Sequence, residues 1–247
     1  MRVGLRWLAV LGLAATFGLS ACARGGRPVL GDRAAAQATT TTSVPFRLVA
    51  EVHDSLHSID VFDAPGAPTA KLQLSNPNAE DAKRVFLVKE QQGTDWLQVL
   101  LPARPNGSVG WIRAADVEVR ETTFRVLVQL AAHRITVWDG SDVIDDEPVG
   151  VGTAAAPTPP GEYFITEALT VPAFQRAAYG PFAFGISGHS DVYTTFGGGD
   201  GTIGIHGTAD TSSIGKDVSH GCIRLSNEGI TKLIHLIPLG SPVEIAS

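Results

Sequence analysis

Two short stretches near the end of the chain carry the residue types that acyl-transfer chemistry needs. His206 lies in the sequence GIHGT at 204–208, and Cys222 lies in the sequence SHGCIRL at 219–225. Nucleophilic acyl chemistry requires a thiolate, a base that takes the thiol proton, and hydrogen-bond donors for the oxyanion that develops on the attacked carbonyl. We therefore predict that Cys222 is a nucleophile and that His206 is its general base.

The residues beside the cysteine suit a carbonyl substrate. Gly221 places no side chain next to the thiol, so we expect a carbonyl to approach and the N–H groups of Gly221 and Cys222 to face it. A nearby imidazole can lower a thiol pKa from about 8.5 into the physiological range. No acid is placed to hold that imidazole, and we expect a backbone carbonyl, such as that of Gly207, to orient the His206 ring.

Four further side chains near the motif each have two interpretations. His220 either transfers protons directly or has a structural role in the turn or a substrate contact, and we favour the structural or substrate-contact role. Ser219 is expected to be a turn-forming hydroxyl. Arg224 either clamps a substrate carboxylate, for which its planar guanidinium suits bidentate contact, or fixes the loop through a salt bridge. His189 either lines the cleft or is an exposed loop residue.

The elements that must position these residues are mostly β-strands. Alternating apolar residues over 124–130 and the Asp139-Gly140 pair predict a hairpin, because Asp-Gly supplies the positive φ angles of tight turns. Asn227 is predicted to cap one short helix whose apolar residues continue to Ile237. Aromatic residues within 171–193 either form a flap over the substrate or fill the core, which we expect for most of them. Two further strands are predicted at 162–167 and 182–187.

Residues 44–121 carry short β-like runs separated by turn residues. The runs lie at 46–52, 58–62, 84–89, 96–101 and 109–113. The last two runs, with Trp96 and Trp111 on either side of a Pro-Asn-Gly turn, resemble the last hairpin of bacterial SH3-like domains. The resemblance implies a small SH3-like β-barrel that either binds wall peptides or serves as a packed spacer.

The first residues are typical of an export signal. Arg2 and Arg6 precede an apolar stretch at 7–19 that is too short to span a bilayer. We therefore expect an exported protein whose signal peptide comprises residues 1–21.

The sequence Leu-Ser-Ala-Cys at 19–22 resembles a bacterial lipobox, which implies diacylation of Cys22. The alternative is an ordinary signal peptide cleaved near Ala23. Residues 22–43 contain a run of four threonines and no apolar periodicity, so we expect a flexible tether. On this interpretation the protein is lipid-anchored to the extracytoplasmic side of a membrane, in the cell envelope.

Composition limits the classes of partner. The chain has 247 residues, of which 44% are hydrophobic and 18% charged, with a formal net charge of -6. The apolar fraction excludes disorder throughout, and an acidic chain disfavours nucleic acid, because phosphate binding relies on clustered Lys and Arg. Two cysteines cannot form a disulfide framework.

The chemical motif as a whole resembles the signature of L,D-transpeptidases with a YkuD-type catalytic domain. The resemblance rests on His206 at family spacing from Ser-His-Gly-Cys, followed by an apolar residue and Arg224. The sequences TPPGEY at 158–163 and GPF at 180–182 are also similar to stretches of the family. The resemblance covers about residues 123–246, and it implies a β-rich catalytic domain over 123–247 with one or two short helices.

This resemblance implies a cell-wall enzyme without a cofactor. In the family, the residue matching Cys222 attacks the third residue of a peptidoglycan tetrapeptide stem, displaces D-alanine and forms a thioester. An amine of another stem then resolves the thioester to a 3→3 cross-link. Carbapenems acylate this cysteine in many members, and we expect the same here. The resemblance assigns the general base to His206, its orienting carbonyl to Gly207, and the surrounding motif to Ser219, His220, Gly221 and Arg224.

Other functions agree less well with these residues. A zinc site disagrees with the absence of the paired ligand spacings that usually mark such sites; its candidate ligands are His189, His206, His220 and Cys222. A wall cysteine peptidase is disfavoured, because in the common family the cysteine precedes its histidine. An L,D-carboxypeptidase, which transfers the acyl group to water, and a lipid-anchored wall-binding protein stay open as alternatives.

Overall fold

The computed structural model describes residues 46–195 and 199–247. The predicted signal peptide, Cys22 and the tether lie outside the described residues. Within the described ranges, no helix has the length and apolar character needed to cross a membrane.

The first part of the described chain forms an antiparallel sheet of five strands, in the order β6-β5-β4-β1-β7, which we call the N-terminal sheet. The hairpin β2–β3 pairs separately. The strands are β1 (Arg47–Val52), β2 (Ser58–Val61), β3 (Leu72–Ser75), β4 (Val85–Gln92), β5 (Trp96–Leu100), β6 (Val109–Arg113) and β7 (Val117–Thr122). Every run predicted here contains a strand, whereas β3 and β7 were not predicted, because β3 has only four residues and three of the six residues of β7 are charged.

The second part forms an eight-stranded mixed sheet, in the order β10-β9-β8-β17-β12-β13-β14-β16, which we call the catalytic sheet. Its strands are β8 (Phe124–Gln129), β9 (Arg134–Asp139), β10 (Asp142–Pro148), β12 (Gly161–Thr170), β13 (Phe182–His189), β14 (Thr202–Thr208), β16 (Ile223–Ser226) and β17 (Pro242–Ala246). A small parallel pair joins β11 (Val151–Gly152) to β15 (Asp217–Ser219). The last strand, β17, lies in the middle of the sheet, parallel to β8 and antiparallel to β12.

The described residues also form two short α-helices and three 3₁₀ turns. The helices are α1 (Arg176–Tyr179) and α2 (Asn227–Ile234), and the 3₁₀ turns are Ala114–Asp116, Ala173–Gln175 and Thr211–Ser213. The predicted mostly β fold with one or two short helices is confirmed.

The predicted start of the second helix needs a correction. The residue that caps α2 is Ser226, whose Oγ accepts the Gly229 N–H at 2.9 Å, and not Asn227. An N-cap has extended backbone and a side-chain oxygen near the second or third helical N–H, and only Ser226 satisfies both conditions. The helix also ends before Ile237, which is buried in the loop that follows.

Strand β12 joins the two hydrophobic cores. Tyr163 and Ile165 are buried in the core of the catalytic sheet, whereas Phe164 is fully buried in the core of the N-terminal sheet. Successive side chains of a strand point to opposite faces, so one strand contributes to both cores. The regions predicted as separate domains therefore share a packed boundary.

Candidate active site

Strand pairing brings Cys222 and His206 to the same point of the catalytic sheet. The parallel register aligns Ile205 with Ile223, and Cys222 comes directly before β16. The Gly204 N–H donates to the Cys222 sulfur at 3.4 Å. A Cβ built on Gly204 would lie 3.8 Å from Cys222 Sγ and 3.9 Å from His206 Cδ2. A single carbon atom at this position would therefore contact both the thiol and the imidazole.

His206 is buried, and its ring is oriented by a backbone carbonyl. Its Nδ1 lies 2.7 Å from the Gly207 oxygen, so Nδ1 carries the proton and Nε2 keeps a lone pair. Burial lowers the pKa of His206 to about 4, with a further lowering by the Arg224 charge and an opposing effect of the Gly207 carbonyl. At neutral pH the imidazole is therefore uncharged and able to accept a proton.

The pKa of the Cys222 thiol is raised, so the thiol ionises less readily than a free cysteine. Burial raises the pKa of the thiol, and the Gly204 N–H and the Arg224 charge oppose that effect only in part. A nearby imidazole was expected to lower this pKa. A neutral imidazole has no charge with which to stabilise a thiolate, and the resting pair is a thiol beside a neutral base.

The turn before Cys222 is held by its own side chains. Ser219 Oγ donates to the Cys222 carbonyl at 2.6 Å and accepts the Gly221 N–H at 3.1 Å. Ser219 is therefore a turn-forming hydroxyl, as expected, but the Gly221 N–H is not free to face a substrate carbonyl. Of the two predicted donors, the Cys222 N–H remains. Gly221 adopts a φ of +121°, which favours glycine at this position.

Thr158 holds the same turn from the other side, a role that sequence reasoning missed. Its buried hydroxyl donates to the Gly221 carbonyl at 2.7 Å and accepts the Gly152 N–H at 2.9 Å. The signal for this contact was the TPPGEY sequence, of which Thr158 is the first residue.

Arg224 lies beside His206 in the parallel register of β14 and β16. Its Nε is buried and has no hydrogen-bond partner, and its side chain forms no ion pair with a described residue. Its backbone pairs with Gly150, with N···O distances of 2.8 and 2.9 Å. Of the two interpretations of this residue, the loop-fixing salt bridge is therefore absent among residues 46–195 and 199–247.

Sequence comparison identifies the family. The family model of the L,D-transpeptidase catalytic domain, YkuD, matches residues 123–245. The protein named "Putative L,D-transpeptidase YkuD" of Bacillus licheniformis is 31% identical over 156 residues, which span 60% of this chain and 85% of that protein. The chain belongs to the YkuD family of L,D-transpeptidases. The resemblance predicted from the motif is thus confirmed.

Two other L,D-transpeptidases are similar to this chain. The protein of the same name in Bacillus subtilis (strain 168) is 33% identical over 123 residues, covering 49% of this chain and 65% of that protein. A crystal structure of an L,D-transpeptidase from Mycobacterium tuberculosis H37Rv aligns with a TM-score of 0.42 and 17% identity, covering 59% of this chain and 75% of that chain.

The other two histidines considered for the L,D-transpeptidase site have different surroundings. His220 is exposed, and its ring lies edge-on to the ring of Tyr193, with 5.7 Å between centroids. His189 is buried, and its Nε2 lies 3.1 Å from Asp200 Oδ2. His189 is therefore not the exposed loop residue that one interpretation expected.

An aromatic contact to the general base was not predicted. The Tyr179 ring, at the end of α1, lies edge-on to the His206 ring, with 5.0 Å between centroids. Gly180 follows the last residue of α1, and its φ of +65° and close approach to the Gly207 backbone leave no room for a side chain. Phe184 is buried in the core as expected, whereas Phe174 is 84% exposed.

In the described part of the chain, no group of three or more His, Cys, Asp or Glu side chains could hold a metal ion. Cys222 is a free thiol.

Proposed function

We propose that this L,D-transpeptidase cross-links peptidoglycan stem peptides through a thioester on Cys222, with His206 as general base. The observation that carries the proposal is that the thiol sulfur and the imidazole meet over Gly204, where a single carbon atom would contact both. A peptide carbonyl bound at this point would meet the nucleophile and the base together.

The first half-reaction starts from the neutral pair. His206 Nε2 takes the thiol proton while Sγ bonds to the carbonyl carbon of the third stem residue. The Cys222 N–H is the remaining backbone donor for the oxyanion. The tetrahedral intermediate then loses the amine of the terminal D-alanine, to which the imidazolium returns the proton, and the thioester stays on the enzyme.

The second half-reaction uses the same base in the same way. An amine of another stem attacks the thioester, His206 accepts the amine proton, and the C–S bond breaks. The proton then passes to the leaving thiolate, which restores the resting pair and releases a 3→3 cross-linked product. With water as acceptor, the same steps describe an L,D-carboxypeptidase.

Arg224 is proposed to bind the carboxylate of the stem peptide. Its Nε is buried without a partner, and its charge lowers the pKa of both His206 and Cys222. A buried donor without an acceptor is costly, and a carboxylate would satisfy it with a charge-assisted hydrogen bond. Removing this contact should weaken stem binding more than it weakens reaction with a small thiol reagent.

The intact mass of the purified full-length protein tests the proposal directly. The protein is mixed with a tetrapeptide-stem muropeptide and, separately, with a carbapenem, and Cys222→Ala is the matched control. We expect an adduct on the wild-type protein with release of D-alanine, and none on the variant. Release of D-alanine without cross-linked product would favour the carboxypeptidase. No adduct with either reagent would favour a wall-binding protein.

We also propose that the enzyme is a lipoprotein on the extracytoplasmic side of a membrane. The Leu-Ser-Ala-Cys sequence at 19–22 and the basic, then apolar, residues before it support this proposal. Two or more acyl chains hold a protein on a membrane far better than one. Metabolic labelling with a fatty-acid probe tests it, since Cys22→Ala should abolish the label, and an unchanged label would refute the lipobox.

The boundary between an SH3-like module over 44–121 and a catalytic domain over 123–247 is likewise proposed. The five-stranded antiparallel order β6-β5-β4-β1-β7 and the separate catalytic sheet support this division. Limited proteolysis of the link at residues 121–123 tests this division. Because β12 contributes side chains to both cores, we expect the link to resist cleavage until the two cores separate.

A further inference from the structure

One turn of the N-terminal sheet contacts the catalytic sheet close to the active site. This turn, residues 101–108, connects β5 to β6 and is braced internally. The Leu101 N–H donates to the Ser108 carbonyl at 2.9 Å, and Ser108 Oγ donates to the Pro105 carbonyl at 2.6 Å. A braced turn holds the side chains that it presents in a fixed place.

Arg104 of this turn binds the segment that connects β13 to β14. Its guanidinium donates to three carbonyl oxygens of that segment, those of Ser190 (2.6 Å), Tyr193 (3.0 Å) and Asp200 (2.9 Å). Two of these residues follow β13 and the third precedes β14, so one side chain ties together both ends of the segment. Hydrogen bonds from a charged donor are about twice as strong as neutral ones.

Asn106 binds the same region through a second pair of contacts. Its Nδ2 donates to the His189 carbonyl at 2.7 Å, and its Oδ1 accepts the His189 N–H at 2.8 Å. The amide thus satisfies both backbone groups of His189, as a neighbouring strand would.

The segment held in this way leads directly to the reacting groups. Tyr193 carries the ring that packs against His220, two residues before Cys222. Strand β14 begins at Thr202 and carries Gly204 and His206. A shift of residues 190–193 would therefore move the ring that packs beside the nucleophile, and a shift of Asp200 would move the start of the strand that carries the base.

We propose that Arg104 and Asn106 are positioning residues of the transpeptidase reaction, through which the N-terminal sheet keeps Tyr193 and strand β14 in place around Cys222. The inference rests on the proposed roles of Cys222 and His206. It assigns the N-terminal sheet a part in catalysis, beyond that of a spacer.

The experiment measures carbapenem acylation of the full-length protein by intact mass over a range of carbapenem concentrations. The variants are Arg104→Ala, Arg104→Lys and Asn106→Ala. Arg113→Ala is the matched control, because Arg113 lies on the same sheet over the Phe62 ring. The maximal acylation rate and the half-saturating concentration are fitted separately, and thermal unfolding reports whether each variant is folded.

We expect Arg104→Ala to lower the maximal acylation rate roughly tenfold or more, since small displacements of reacting groups cost up to about 10² in rate. Asn106→Ala should have a smaller effect in the same direction. Arg104→Lys should restore part of the rate, because an ammonium keeps the charge and some of the donors. Arg113→Ala should react as wild type does.

Two outcomes would overturn the proposal. One is a wild-type acylation rate in folded Arg104→Ala, and the other is an equal loss in Arg113→Ala. If Arg104→Ala does not fold, the rates of Arg104→Lys and Asn106→Ala decide, and wild-type rates in both overturn it. Failure of the proposed function looks different, because the wild-type protein itself would then form no adduct.

Discussion

Two histidines flank the nucleophile, and they differ in almost every physical respect. His206 is buried, its Nδ1 is fixed by the Gly207 carbonyl, and its pKa is lowered to about 4. His220 is adjacent in sequence to the Gly221-Cys222 pair, yet it is exposed and packs against Tyr193. The base is therefore defined by the register of neighbouring strands and not by closeness in sequence.

Among the two histidines, replacing His206 is expected to cause the larger loss of Cys222 acylation rate. His206→Ala should lower the rate of Cys222 acylation by about 10²–10⁴, the usual contribution of a positioned base. The rate is measured as adduct formation with a carbapenem by intact mass. His53→Ala, at an exposed turn position, is the control. A rate close to wild type would mean that another group takes the thiol proton.

The pH dependence of Cys222 reactivity distinguishes a neutral thiol–imidazole pair from a thiolate–imidazolium pair. Iodoacetamide requires the thiolate, and burial raises the pKa of Cys222, so alkylation should be slow at neutral pH. Its rate should rise about tenfold per pH unit into the alkaline range.

The rate of acylation by a carbapenem should instead depend on the protonation state of His206. His206 has a lowered pKa of about 4, so it stays neutral above that value and loses its lone pair only below it. The acylation rate should therefore stay level from neutral pH down to about pH 5 and then fall. A fall that begins between about pH 6 and pH 7 would instead indicate an ordinary histidine pKa.

Replacing Thr158 tests whether the turn before Cys222 positions the thiol, as the Gly207 carbonyl orients the imidazole. Thr158→Val leaves the buried Gly221 carbonyl and Gly152 N–H without their partner, at a cost of about 1–3 kcal/mol of unfolding free energy. We expect a lower Tm and an acylation rate that falls about tenfold. Thr170→Val, at an exposed position of β12, should change neither quantity. An unchanged acylation rate despite a lower Tm would show that the turn does not position the sulfur.

His220 is expected to give the smallest effect. His220→Ala should lower acylation less than tenfold, because the ring is exposed and contributes a contact to Tyr193. His220→Phe keeps an aromatic ring for that contact and should restore most of the rate. A loss as large as that of His206→Ala, without rescue by Phe, would make His220 a proton-transfer residue and remove the distinction between the two histidines.

The sequence predicted the parts of the fold that depend on local pattern. Short β-like runs between turn residues located β1, β4, β5 and β6 of the N-terminal sheet, and the Asp139-Gly140 turn formed the hairpin between β9 and β10. The cap of α2 was displaced by one residue, because Ser226 and Asn227 are both good caps and only backbone geometry separates them.

The sequence predicted which residue types form the site, but it did not predict most of the contacts that hold them. The Gly207 carbonyl lies where it was expected, whereas Ser219 occupies the Gly221 N–H. Arg104 binds carbonyls more than 80 residues further along the chain, and no local pattern encodes such a contact. Burial decides the direction of the pKa shifts of Cys222 and His206, and burial is a property of the assembled sheet.

The central place of β17 makes both halves of the catalytic sheet depend on one strand. This strand comes last in sequence among the described strands, yet it separates β8–β10 on one side from β12–β14 and β16 on the other. Until residues 242–246 are in place, each half-sheet keeps an open edge, and open edges invite pairing with other chains. The joining contacts between β8 and β17 also span more than 100 residues, which slows folding. A chain in which β17 is not yet paired therefore exposes two sheet edges, one on β8 and one on β12.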